Sequence, residues 1–175
     1  MLIELISEIP IVLWIAGILA LYMAWAIGAN DVANAMGTSV GSGALTVWGA
    51  ILVAAIFEFA GAFFAGGHVT DTVRKGMLDL SLLGHDQLIY GMLGSLAAAG
   101  TLLIGATWLG LPVSTTHSIV GAIIGFGVVY GGMSAVRWDK VGTIAASWII
   151  SPLMSGTLSF LIFQIVLHKV FYKPD

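Results

Sequence analysis

Gly28-Ala29-Asn30-Asp31-Val32-Ala33-Asn34-Ala35-Met36-Gly37-Thr38-Ser39 sets one carboxylate and two carboxamides at the end of an apolar run that begins near Ile9. At about 1.5 Å per residue, that run is long enough to carry Asp31 deep into a bilayer. A carboxylate there costs about 2.5–3.5 kcal/mol on insertion scales. Helix packing alone has no need of it. An Asp flanked by two Asn and bracketed by glycines predicts a broken helix at this point. Its open backbone and polar side chains would line a cavity for an ion or small polar solute.

The rest of the chain agrees with a membrane setting. Of its 175 residues, 59% are hydrophobic and 9% charged, and the mean hydropathy is +1.04. A soluble domain carries about 25% charged residues, so this composition cannot clothe a globule in polar surface. An all-α integral membrane protein is expected, a polytopic helix bundle forming one transmembrane domain over 1–175. Zero Cys excludes disulfides and thiolate metal sites. Glu4 and Glu8 stand where a signal peptide would carry basic residues, so the first apolar run reads as a retained span. There is no Gly-rich phosphate loop with Lys, no metal-spaced His pair and no basic nucleic-acid surface. The expectation is a non-enzyme without a cofactor and without a nucleic-acid partner.

Apolar segments at about 9–27, 47–66, 88–111, 113–130 and 141–167 read as membrane segments. Residues 87–136 hold no Asp, Glu, Lys or Arg, too long a run for one crossing, and Pro112 divides it. The part after Pro112 is then either a re-entrant hairpin or a full span. Glu58 lies inside the second segment, where an ionisable residue is a functional candidate or an interhelical hydrogen-bond partner. Gly37/Gly41, Gly121/Gly125 and Gly127/Gly131 have the small-xxx-small spacing of close helix contacts. The polar stretch 67–86 reads as a short interfacial helix and loop, with Val73, Met77 and Leu80 on one face. Ser151-Pro152 predicts a kink in the last span.

A second polar motif follows the dividing proline: Pro112-Val113-Ser114-Thr115-Thr116-His117-Ser118. Proline starts a helix whose Ser/Thr hydroxyls and free N–H groups face the space before it, a setting that suits an anion. The plainer reading is that such hydroxyls bond back to their own backbone. Both Arg, Arg74 and Arg137, fall in loops, so membrane-embedded donors must be hydroxyls, amides and helix N-termini. Asp31 would repel an anion. Sodium ions could bridge, with Asn30 and Asp31 as hard oxygen ligands. Alternatively, the carboxylate could accept a hydrogen bond from a protonated oxyanion, a proton that a fully ionised oxyanion lacks. His117 either orients a hydroxyl or packs.

Gly28–Ser39, continued by Val40–Thr46, resembles the first signature of the inorganic phosphate transporter (PiT) family. Pro112–Ser118 resembles the second, and Val69–Gly76 also resembles the family at its place. The resemblance implies transmembrane transport of inorganic phosphate by Na⁺- or H⁺-coupled symport with alternating access, and it favours the hairpin for 113–130. Joined to the chemistry above, it implies substrate binding by Asn30, Asp31, Asn34, Ser114, Thr115 and Thr116. Coupling or gating would fall to Asp31, Glu58 and His117, with sodium at Asn30 and Asp31. A complete member has two inverted repeats, each with both signatures, and this chain carries one copy of each. It is therefore expected to be one half of an inverted-repeat transporter in a plasma or inner membrane. A second repeat, a partner chain or an inverted self-dimer would complete it. The rival readings are an inactive or partner-dependent half, a membrane assembly subunit, and a carrier of another oxyanion such as sulfate.

Overall fold

The first helix does not stop where the glycines and asparagines predict. In the computed structural model, which describes residues 10–172 without the side chains of 68–75, α1 runs unbroken over Ile11–Gly41. Ile9, where the first span was expected to begin, lies outside the described residues. Helix continuity has a physical cause. A backbone group opened inside a bilayer finds no water, so the ladder persists through Gly28 and Gly37 although glycine disfavours helix. The polar side chains bond to neighbouring helices instead of to the α1 backbone. The stop comes later, at Ser42 and Gly43, where Gly43 takes φ +77.

Four more helices follow: α2 (Val47–Gly76), α3 (His85–Trp108), α4 (Thr115–Gly131) and α5 (Trp138–Val166). α1, α2, α3 and α5 are each long and apolar enough to cross a membrane. α4 has 17 residues; a helix of that length spans about 25 Å, short of the ~30 Å hydrocarbon core. The interfacial helix expected within 67–86 is not a separate element. α2 itself continues to Gly76, and a single 3-10 turn, Leu80–Leu82, follows, capped by Asp79 accepting from Ser81 N at 3.0 Å. Met77 and Leu78 are buried after the helix ends, whereas Leu80 is exposed. The side chain of Val73 lies outside the described residues.

α3 and α4 form an antiparallel hairpin, and its turn is written in the sequence. Gly110, at φ +68, ends α3. Its N–H donates to the Thr107 carbonyl at 3.1 Å, and Leu111 N–H reaches back to Ala106 O at 2.8 Å. This is the paired-bond helix stop that glycine favours. Pro112 follows, and Ser114 then caps α4 by accepting from His117 N at 3.3 Å. At the opposite end Leu78 and Val136 form an antiparallel bridge, with Asp79 N–H donating to Ala135 O at 2.8 Å, so the hairpin is closed at its base.

α1 lies alongside α3 and runs in the same direction. Tyr22 meets Thr101, their hydroxyls 3.1 Å apart, and further along Asn30 meets Thr107. Between these contacts Met23 and Ala26 pack on Ala99 and Leu103, with Val113 and Ile119 of the hairpin against the same cluster. Gly100 lets the helices approach: a Cβ there would lie 2.7 Å from the Tyr22 ring. Ser95 joins the two legs of the hairpin, its hydroxyl between the carbonyls of Gly91 (2.8 Å) and Ala122 (3.2 Å). Of the predicted small-residue pairs, Gly127 and Gly131 do face close neighbours, Leu78 and Ala135. Gly37, Gly41, Gly121 and Gly125 face open space. The outward faces of α1 and α2 carry Ile18, Trp25, Trp48, Phe57 and Phe64, side chains suited to acyl chains.

Residues 137–175 form a separate unit. Within it α5 contains Pro152 with helix on both sides and continues into a π turn, Leu167–Phe171. No residue of α5 is buried.

Candidate functional site

Asn30 and Asp31 are consecutive on α1, so their side chains diverge by about 100° around the helix. Each reaches a different side of the hairpin turn. Asp31 accepts from the Thr115 hydroxyl, whose oxygen is 2.9 Å from both carboxylate oxygens. Asn30 donates from Nδ2 to Thr107 Oγ1 at 3.1 Å and, more weakly, to the Leu111 carbonyl at 3.5 Å. Asn34, one turn on, donates from Nδ2 to Asn30 Oδ1 at 3.0 Å. The two signatures, some 84 positions apart, therefore meet directly.

Asn30 is 4% exposed. A buried amide without partners would cost about 1–3 kcal/mol, so its bonds to the turn are structural as well as local. Asp31 is half-buried and Asn34 exposed. On the Asn30 and Asn34 side is a cavity of about 300 Å³ lined by these two residues with Ala29, Ala33, Thr107, Gly110, Leu111 and Pro112. It is bounded by α1 on one side and the hairpin turn on the other.

The start of α4 adds positive potential. Its first N–H groups, those of Thr115 and Thr116, precede the helical ladder, and unpaired N–H groups at a helix start carry about half a positive charge. The Thr115 hydroxyl holds Asp31 at this end, and a carboxylate is stabilised there. Ser114 spends its oxygen as the helix cap, and Thr116 is exposed. His117 is also exposed, on the first turn of α4. Glu58 is exposed in the middle of α2, with no bond to the Asp31 group among the described residues. Nor do three or more His, Asp or Glu side chains gather among the described residues; any cation here would be met by carboxamide, carboxylate and carbonyl oxygens.

The expected set thus divides. Asn30, Asp31, Asn34, Ser114 and Thr115 converge on the turn, with Thr116 beside them, and His117 joins it through its N–H, which donates to Ser114 Oγ, while Glu58 has no bond to the group among the described residues. One participant was not foreseen: Thr107. It lies in an apolar run and bonds back to the Leu103 carbonyl at 2.8 Å, as helical threonines do. Its position five residues ahead of Pro112 was the available signal.

Known proteins match this chain. Residues 27–175 match the model of the phosphate transporter family, PHO4. The chain is 54% identical over 156 residues to Inorganic phosphate transporter 2-1, chloroplastic, of Arabidopsis thaliana, covering 88% of this chain and 27% of that protein. A solved structure, described as the sodium-dependent phosphate transporter, superposes with a TM-score of 0.89 at 44% identity, covering 95% of this chain and 42% of that one. The chain thus spans less than half the length of either relative. Family match, structural likeness and four membrane-length helices agree: this chain, a multi-pass integral membrane protein, belongs to the phosphate transporter family, which is a family of carriers and not of enzymes.

Proposed function

We propose that the chain is one half of a transporter of inorganic phosphate, driven by sodium. The observation that carries this reading is the meeting of Asp31 with Thr115 at the start of α4, next in sequence to Asn30, which lines an open cavity. Phosphate approaches the Thr115 and Thr116 N–H groups and the hydroxyls of Ser114 and Thr116, which replace its water, while the Thr115 hydroxyl, its proton on Asp31, holds the carboxylate beside them. Asp31 accepts from a protonated phosphate oxygen, while sodium, held by Asp31 with Asn30 and Asn34 in support, offsets the repulsion between like charges. A site that needs the cation to hold the anion couples their movement, which is symport. Sodium is preferred to the proton because oxygen ligands bind it without any change of protonation. The name of the solved relative supports that choice. Glu58 and His117 serve as gating or coupling groups in the assembled transporter, where alternating access requires a second repeat on the open side of the cavity.

The hairpin reading of 113–130 belongs to the same proposal. The turn meets α1 at Asp31, and α1 continues to Gly41, about 15 Å further along its axis. A hairpin ending there turns back within the membrane.

The test is uptake of labelled phosphate into liposomes containing this chain, with and without an inward sodium gradient, for the wild type and Asp31→Asn. Gradient-dependent uptake that phosphate but not sulfate competes away, and that falls at least about tenfold in Asp31→Asn, is expected wherever a complete site forms. Uptake indifferent to sodium, or unchanged by the substitution, would sink the assignment.

A further inference from the structure

Thr107 stands outside the set of residues that the sequence pattern marks, yet its bonding has a direction. Its hydroxyl lies 2.8 Å from the Leu103 carbonyl, which can only accept, so the Thr107 proton goes there. The Thr107 oxygen is left as an acceptor, and the group 3.1 Å away on Asn30 must be a donor. The Leu111 carbonyl, on the same side of Asn30, makes the same demand. Asn30 therefore turns its NH₂ to the hairpin and its oxygen to Asn34. Asn34 must in turn present NH₂ to Asn30 at 3.0 Å. Its own oxygen is left facing away from Asn30, at a residue that lines the cavity. A carboxamide in water can turn over freely; here the buried Asn30 relays the choice made at Thr107.

We infer that Thr107 is a positioning residue which, through Asn30, fixes the carboxamide of Asn34 with its oxygen toward the cavity. The cavity is thereby given an extra acceptor suited to a hard monovalent cation or to the proton of a phosphate oxygen. The use made of that oxygen rests on the transport reading above. The orientation itself does not.

Two substitutions separate these. Thr107→Val keeps the shape and removes the hydroxyl, whereas Thr107→Ser keeps the hydroxyl. The chain is reconstituted in lipid nanodiscs, and the side-chain NH₂ signals of Asn30 and Asn34 are followed by NMR. Exchange of the Asn30 NH₂ protons with water is expected to speed up about tenfold or more in Thr107→Val, as loss of roughly 1.4 kcal/mol of hydrogen bonding implies, and to return to the wild-type rate in Thr107→Ser. Half-saturating sodium for phosphate binding should rise by a similar factor in Thr107→Val alone. Wild-type exchange rates in Thr107→Val, with helical content retained, would overturn the proposal. So would an equal loss in Thr107→Ser. If the exchange rates follow this pattern while wild-type protein shows no sodium-dependent phosphate binding, the orientation stands and the transport reading of this chain alone fails.

Discussion

Thr115 reaches Asp31 from the hairpin, and it serves both oxygens of the carboxylate from one hydroxyl. Removing it leaves a half-buried charge facing only the start of α4. Thr115→Val is expected to destabilise the chain by about 1–3 kcal/mol, read as a lower midpoint of denaturant unfolding in mild detergent, with Thr115→Ser close to wild type. The individual chemistry of Asp31, Asn34 and Thr115 was legible in the sequence, because each is an expensive polar group in an apolar setting. Their pairing was not, since no local rule links positions 31 and 115. Thr107 was hidden for a different reason. The back-bonding rule describes its hydrogen correctly and says nothing of its oxygen, which is the atom that matters to Asn30.

Among the elements, the number and order of helices could be read from apolar runs, and Pro112 correctly divided the long uncharged stretch. The break expected at Gly28–Ser39 failed because glycine permits a turn without requiring one. A helix stops where a positive φ and a capping pattern coincide, as at Gly43 and Gly110, and not wherever glycine occurs. The same distinction governs the close contacts. Gly100 faces the Tyr22 ring although Leu96 and Ile104 stand four positions away, whereas Gly121, spaced from Gly125 as close contacts are, faces open space. Gly100→Val should therefore push α1 from α3 and cost about 1–3 kcal/mol. Gly121→Ala, measured in the same thermal-unfolding series on this chain, should stay within about 0.5 kcal/mol. Equal effects would show that the α1–α3 contact is not the tight one.

For the whole molecule, the signatures disclosed the family but not what completes the cavity. Asn34, which lines it, is exposed, as are Thr116 on α4 and Glu58 on α2, and the chain covers 42% of the solved transporter it resembles. Polar side chains left exposed in a membrane are costly until something covers them. Co-reconstituting the chain with the C-terminal half of a full-length relative is therefore expected to raise sodium-driven phosphate uptake at least about tenfold over either part alone. Uptake that the added half does not change would mean that copies of this chain already complete the site.

The bridge between Leu78 and Val136 fastens both legs of the hairpin to one spot. The α3–α4 pair is thus tied at its base by this bridge and along α3 by α1, and Asp31 sits at the far end of its arm. Over an arm of about 36 Å, the length of a 24-residue helix, a tilt of only about 5° carries the tip about 3 Å. That is the length of one hydrogen bond. Because neighbouring residues of α1 hold the same tip, Asn30 through Thr107 and Asp31 through Thr115, such a tilt would release Asn30 and Asp31 in one stroke and not in sequence.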